Sequence, residues 1–291
     1  MIIETASDVT EAVLAEMART SDARTKEILA CLVRHLHGFI REVKLTEREF
    51  QDAIGLVNAI GQRTTESHNE AMLMAGALGV SNLVCLLNNG GNGARPTQAN
   101  NLGPFWRSGA PRCENGASIV RSPTPGPRLV FRGEVRDLDG RAIAGAGVDV
   151  WHPSPVGLYE NQDATQAEMN LRGRFTTDAN GAFSFRSVKP SGYPVPTDGP
   201  TGALLRAQKR HNFRPAHLHF LIHKPGFKTI ASQVYDPSDP HLETDSQFGV
   251  TRTLIGNFQR NGEEYSLEFT FTLEPGESWL PKAPITEKVA A

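Results

Sequence analysis

Apolar residues in the first hundred positions recur every three or four residues, which is the period of an amphipathic helix. Thr46 with Glu49 forms a possible capping box in TERE, and SHNE (67–70) repeats that pattern. We therefore predict one helix within TKEILACLVRHLHGFIREVK (25–44), a second from Thr46 through about Ile60 and a third from Ser67 through Leu87. The clearest apolar stripe, in TKEILACLVRHLHGFIREVK, comprises Ile28, Leu29, Leu32, Val33, Leu36, Phe39, Ile40 and Val43.

From about residue 128 the apolar period changes to two, which is the period of a strand. Alternation is clear around Phe131, around Phe183 and in EYSLEFTFTL (264–273), and the turn sequences DLDG and DANG separate such runs. The glycine-rich NNGGNGARP (88–96) follows no strand and is interpreted as a connector. We predict a mainly β fold, with a helical N-terminal region and linker over 1–100 and an antiparallel β-sandwich over 101–291.

Composition narrows the possible partners. The 291 residues carry a formal net charge of −2, which gives no electrostatic footprint for nucleic acid or an anionic membrane. No apolar run reaches the length of a membrane span, and the N-terminus lacks the features of a signal peptide. Three widely spaced cysteines predict free thiols in a reducing cytoplasm.

The tripeptide HLH occurs twice, at 35–37 and 217–219. On a helix, residues two apart point about 200° away from each other, so His35 and His37 are predicted to lie on a polar surface. On a strand, residues two apart share one face, so His217 and His219 could chelate a metal together. The alternative for the strand pair is two hydrogen-bonded core histidines.

An anionic donor would have to complete a metal site at His217 and His219. No acidic residue follows at the spacing seen in cupins, and Asp236 and Asp239 in DPSDP predict a structural turn. Among the four tyrosines, Tyr159 and Tyr193 lie in turn-rich segments of the type that present ligands. A phenol ionises near neutral pH only beside a strong Lewis acid. Phenolate oxygens with imidazoles therefore favour ferric iron over zinc.

Three short motifs follow one another in the chain: GLY (157–159), SGY (191–193) and RPAHLHF (214–220), with LGPFW (102–106) before them. In this order, the segment 133–235 resembles the intradiol ring-cleavage dioxygenases, which open catechols between their hydroxyls. The resemblance implies a single Fe(III) per subunit and, as substrates, dioxygen and a small catechol. The implied iron ligands are Tyr159, Tyr193, His217 and His219.

The resemblance also implies roles for further residues. Tyr193 would act in catalysis as a base, Arg214 would stabilise negative charge on the ring, and Gln233 would lie near the reacting ring. The helical region would form a homodimer interface. The implied substrate pocket consists of Leu102, Gly103, Pro104, Phe105, Val195 and Pro196.

Within that family, YPVPTDGPTG (193–202) is most similar to the members that cleave hydroxyquinol to 3-hydroxy-cis,cis-muconate, the tautomer of maleylacetate. Two positions depart from their pattern: Asn101 stands where an aliphatic residue is usual, and Cys85 where an aspartate is usual. Catechol and chlorocatechol therefore remain alternative substrates. A different interpretation is a transthyretin-like, non-enzymatic binding module.

Overall fold

The computed structural model describes residues 2–89 and 96–285. The chain divides into two compact units, Met1–Asn58 and Ala59–Ala291. The boundary near residue 100 stays a prediction, and the centre of the connector NNGGNGARP lies outside the described residues.

The first unit is helical, as predicted. Helix α1 is Ala6–Met17, α2 is Ala23–Val43, and α3, which begins in this unit, is Glu47–Arg63. The capping box of α3 is confirmed, because Glu49 Oε2 accepts from Thr46 N at 2.9 Å and Thr46 Oγ1 accepts from Glu49 N at 3.3 Å. None of the three helices contains a buried residue, so their apolar stripes are largely exposed.

The third predicted helix is two helices, α4 (Glu70–Ala77) and α5 (Val80–Asn88). Asn69 rather than Ser67 caps α4, with Asn69 Oδ1 accepting from Met72 N at 2.9 Å. The Glu70 carboxylate is not available to a capping box because one oxygen accepts from Thr201 N and the other from His68 Nε2, each at 2.7 Å. Gly79, at φ +72°, ends the continuous helix.

No single described helix is long and apolar enough to cross a membrane. Helices α4 and α5 meet the length and composition criteria only as a pair, and that pair is bent by 76°.

Two four-stranded sheets form the second unit, in the orders β4-β1-β10-β9 and β3-β2-β7-β8, with a small β5-β6 ribbon. A last helix, α6, is Pro200–Ala207. The strands are β1 Arg128–Asp137, β2 Gly147–Trp151, β3 Arg172–Thr176, β4 Ala182–Val188, β5 Tyr193–Pro194, β6 Phe213–Arg214, β7 His217–His223, β8 Ile230–Tyr235, β9 Gln259–Asn261 and β10 Glu264–Leu273.

The two sheets pack face to face through aromatic residues, which confirms the predicted sandwich. Phe131 on β1 and Phe220 on β7 bring their ring centroids to 4.9 Å across the core. One pairing differs from the antiparallel prediction: β1 and β10 are parallel from Arg128 to Asp137. An alternating pattern defines which face of a strand is buried but carries no information about strand direction.

Candidate metal centre and active site

His217 and His219 lie on β7, between β2 and β8 in the sheet. Both side chains are buried, and their Nε2 atoms lie 3.0 Å apart. His217 Nδ1 donates to Pro215 O at 2.6 Å, because a carbonyl can only accept, so its Nε2 carries the lone pair. Trp151 stacks on the His219 ring at 4.7 Å and holds its plane. The strand thus directs both imidazoles at one point.

Both imidazoles are neutral at physiological pH. Burial, followed by the nearby Arg214 guanidinium, lowers the pKa of His217 to about 3. Burial, followed by His217, likewise holds the pKa of His219 well below its ordinary value. Neutral imidazole is the form that ligates metals, so this environment keeps the pair in its ligating state.

Tyr159 lies in the loop between β2 and β3, as predicted, whereas Tyr193 lies on the short strand β5 rather than in a loop. Both side chains reach the same point. Their hydroxyl oxygens lie 3.2 Å apart, and both side chains are buried. The Tyr193 ring lies 5.6 Å from His217, and the Tyr159 ring lies 6.3 Å from His219. Gly157, at φ +84°, permits this approach, because a Cβ there would lie 3.0 Å from the Tyr193 Cβ.

The chemistry of these donors suits ferric iron. Among the described residues, no group of three or more His, Cys, Asp or Glu side chains could hold a metal, so the histidine pair needs the phenols. Burial raises the pKa of both Tyr159 and Tyr193, so a phenolate forms here only beside a strong positive charge. Two imidazole nitrogens and two phenol oxygens match a hard, highly charged cation.

Arg214 lies at the centre of a buried polar network beside this cluster. Its Nη1 donates to His217 Nε2 at 3.2 Å, and its Nη2 donates to Gln233 Oε1 at 2.8 Å. Asp245 accepts from Arg214 Nε at 3.1 Å and from Nη2 at 3.0 Å. Burial alone would raise the pKa of Asp245, but the Arg214 charge and hydrogen bonds hold it below its usual value. Arg214 therefore stays charged in the interior.

Asp245 and Tyr235 belong to this network and were not predicted from the sequence. The Tyr235 hydroxyl accepts from Arg214 Nη2 at 2.9 Å and donates to Gln233 Oε1. Its position two residues after Gln233 on β8 places both on one face, so the strand period could have revealed it. Asp245 lies in irregular backbone 31 residues after Arg214, and no local pattern signals that pairing.

A second buried ion cluster supports the loop that carries Tyr159, and sequence reasoning missed it as well. Glu160 accepts from Arg172 Nε and from Arg107 Nη1, each at 2.6 Å. The Arg172 guanidinium lies 5.9 Å from the centroid of the Tyr159 ring. This cluster fixes the backbone next to the tyrosine.

A cavity of about 370 Å³ opens beside Tyr193 and Arg214. Phe105 stacks on Tyr159 with ring centroids 4.6 Å apart. This contact connects the cavity wall to the cluster of rings formed by the two tyrosines and the two histidines. Pro196 is not among the described residues that line the cavity. The other five predicted pocket residues do line it: Leu102, Gly103, Pro104, Phe105 and Val195.

Two family models match most of the chain. The model described as "Catechol dioxygenase N terminus" matches residues 22–94, and the model described as "Dioxygenase" matches residues 102–275. Together they cover both the helical region and the sandwich that carries the cluster of rings.

Curated relatives and a solved structure agree with these models. The chain is 40% identical over 272 residues to a 6-chlorohydroxyquinol 1,2-dioxygenase of Cupriavidus pinatubonensis, covering 92% of this chain and 97% of the relative. It is 40% identical over 254 residues to a hydroxyquinol 1,2-dioxygenase of a Rhizobium species, covering 86% and 84%. A crystal structure of hydroxyquinol 1,2-dioxygenase from Pseudomonas putida DLL-E4 superposes with a TM-score of 0.83 at 33% identity, covering 93% and 99%. This chain belongs to the intradiol ring-cleavage dioxygenases, enzymes that use non-haem iron.

Proposed function

We propose that this enzyme cleaves hydroxyquinol (benzene-1,2,4-triol) with dioxygen to 3-hydroxy-cis,cis-muconate, using one Fe(III) per subunit. The observation that carries the proposal is the convergence of two neutral imidazoles and two phenols beside the cavity. The substrate named for several relatives supports hydroxyquinol.

The residues that would hold the iron are Tyr159, Tyr193, His217 and His219. When bound, ferric iron supplies the Lewis acidity and one-electron chemistry that couple a singlet aromatic ring to triplet dioxygen. Indole stacking on His219 and the Pro215 carbonyl on His217 keep both imidazoles aimed at the metal position.

Tyr193 is the group we assign as base for one substrate hydroxyl. It borders the cavity, and burial raises its phenol pKa, so its oxygen holds a proton tightly once it receives one. Arg214 also borders the cavity and places a fixed positive charge where negative charge develops on the ring. Gln233 orients the guanidinium by accepting from Nη2.

The predicted pocket residues would hold the ring and exclude water. Leu102, Phe105 and Val195 supply an apolar wall. Gly103 lets the ring approach the metal position, because a Cβ there would lie 3.3 Å from His219 Cε1.

Catechol or a chlorocatechol is the second candidate substrate. Cys85 lines the cavity, and burial raises the pKa of its thiol to about 11, so it offers no negative charge to an additional hydroxyl. Comparing kcat/KM for hydroxyquinol, catechol and 4-chlorocatechol decides between the candidates.

Iron content and colour test the proposal directly. Protein purified with iron should hold about one ion per subunit, and it should show a visible absorption band from phenolate-to-iron charge transfer. Tyr193→Phe should shift that band and slow turnover. Iron-loaded protein that stays colourless and inactive on all three substrates would contradict the proposal.

We also propose that the enzyme is a homodimer through its N-terminal helices. Leu32 and Phe39 on α2 are 57% and 53% exposed, and Val57 on α3 is 64% exposed, which leaves apolar stripes available to a partner. Leu32→Lys with Leu36→Lys should shift the sedimentation coefficient to that of a monomer. Arg34→Glu, on the opposite side of α2, is the matched control and should stay dimeric.

A cytoplasmic location is part of the same proposal. The three cysteines, Cys31, Cys85 and Cys113, are free thiols, and such thiols persist where the compartment is reducing. Cell fractionation followed by thiol labelling tests it.

A further inference from the structure

Asn101 places a polar side chain in the wall of the cavity. It lines the same cavity as Tyr193 and Arg214, and only 8% of its surface is exposed. Its Oδ1 has no hydrogen-bond partner among the described residues. Buried polar atoms are nearly always paired in proteins, so the amide gains a partner when it turns its oxygen toward a polar group that enters the cavity.

The main chain of Asn101 is fixed to the catalytic network. Its N–H donates to Asn100 Oδ1 at 2.6 Å, and its carbonyl accepts from Gln233 Nε2 at 2.7 Å. Asn100 Nδ2 in turn donates to the Tyr235 hydroxyl at 3.3 Å. The backbone is therefore held in place, while the side-chain amide is left for a ligand.

Other polar side chains in the wall are less suited to bind a ring substituent. The Cys85 thiol is neutral and is a weak hydrogen-bonding group. Ser81 on α5 is only half-buried, and Gln247 already donates to Ser246 O at 3.4 Å. Tyr193 and Arg214 serve the reacting diol under the proposed function.

We propose that the Asn101 side-chain amide hydrogen-bonds to a hydroxyl that the substrate ring carries in addition to the diol, and that it thereby determines specificity. The inference rests on the proposed function. An amide both accepts and donates, so a hydroxyl can pair with either end, whereas a ring hydrogen or chlorine leaves the oxygen unpaired. Asn101 thus favours a triol over catechol and 4-chlorocatechol.

The test compares substrates within one variant, so that catechol is the internal control. Asn101→Leu replaces the amide by an apolar group of similar size. We expect the triol-to-catechol ratio of kcat/KM to fall about 10- to 100-fold, since a single buried hydrogen bond discriminates by this factor. Any loss that reaches Gln233 through the Asn101 main chain affects both substrates alike and cancels from the ratio. Anaerobic calorimetry should give the same change in the ratio of the two Kd values.

Several results would overturn the inference. Equal losses for both substrates would mean that the substitution only displaces Gln233, and an unchanged ratio would mean that the amide contacts no hydroxyl. If Ser81→Ala lost the preference for the triol over catechol and the Asn101 variants kept it, Ser81 rather than Asn101 would determine specificity. Asn101→Ala must reproduce the change, and it serves if Asn101→Leu does not fold. A wild-type enzyme inactive on every substrate would instead contradict the proposed function.

Discussion

The two HLH tripeptides are identical in sequence and opposite in environment. On α2, His35 is exposed, while the His37 ring turns to α1 and hydrogen-bonds Thr10 Oγ1 at 2.9 Å. On β7, His217 and His219 are buried with their Nε2 atoms 3.0 Å apart. The rotation per residue accounts for the difference: it is about 100° on a helix and about 180° on a strand.

The surroundings enlarge this difference. Helix α2 contains no buried residue, whereas β7 lies between two strands and is almost wholly buried. Burial removes water from His217 and His219 and lowers their pKa values. The charged Arg214 guanidinium also lies 3.2 Å from His217 Nε2. The strand histidines are therefore suited to chelate a metal together. Of the helix histidines, His35 lies on the predicted surface, whereas His37 is half-buried against α1.

The largest expected effect is on iron binding. His217→Ala or His219→Ala should bring iron content to background and reduce kcat/KM by more than about 100-fold, since even outer-shell changes at metal sites cost 10- to 100-fold. His35→Ala with His37→Ala should leave both quantities unchanged. Metal analysis of the purified variants measures this, and loss of iron from the helix double variant would contradict the comparison.

The next largest expected effect concerns the Arg214 charge beside the two histidines of β7. Asp245→Asn leaves the Arg214 guanidinium, which is 3% exposed, without its ionic partner. We expect a loss of about 3–5 kcal/mol in the free energy of unfolding, because a buried charge remains uncompensated. Denaturant titration at neutral pH measures it. A loss below about 1 kcal/mol would show that solvent reaches Arg214.

A third buried histidine tests whether burial, rather than residue type, controls titration. Burial lowers the pKa of His152 from its ordinary value of 6.5 to about 4. Between pH 6.5 and about 4, His152 is protonated in the unfolded chain and neutral in the folded chain. The stability that His152 contributes above pH 6.5 is therefore lost as the pH falls through this range. We expect His152 to account for about 3 kcal/mol of that loss between pH 6.5 and 4.

Unfolding of metal-free protein across this pH range measures the His152 contribution. His152→Gln should reduce the pH dependence of the unfolding free energy by that amount. His35→Gln, on the exposed face of α2, should leave the pH dependence unchanged. Equal slopes for all three proteins would show that His152 titrates normally.

The smallest expected effect is at the two histidines of α2. Thr10→Val removes the hydroxyl that bonds to His37 and accepts from Arg41 Nη1 at 3.0 Å. Because these groups are accessible to water, the unfolding free energy should change by less than about 1 kcal/mol. A loss of unfolding free energy comparable to that of Asp245→Asn would mean that the histidines of α2 are also part of a buried polar site.

Local patterns predicted much of the fold and only part of the site. The capping box at Thr46 and the alternation around Phe131 are confirmed, since both depend on neighbours in the chain. The single helix through Leu87 is wrong, because Asn69 and Gly79 set different ends. The transthyretin-like, non-enzymatic alternative is also wrong, since the chain belongs to an enzyme family. The roles assigned to the individual site residues stay predictions.

The sequence by itself determined which backbone carries each histidine pair, because the period of apolar residues is a local property. It also placed Tyr159 in a loop, whereas the loop predicted at Tyr193 is wrong because that residue lies on β5. Only the tertiary structure decided that these two tyrosines meet at β7 and that Asp245 balances Arg214. The same holds for Asn101 and Gln233, which are 132 residues apart in the chain and joined by one hydrogen bond. Such contacts depend on how distant segments pack, which no local pattern encodes.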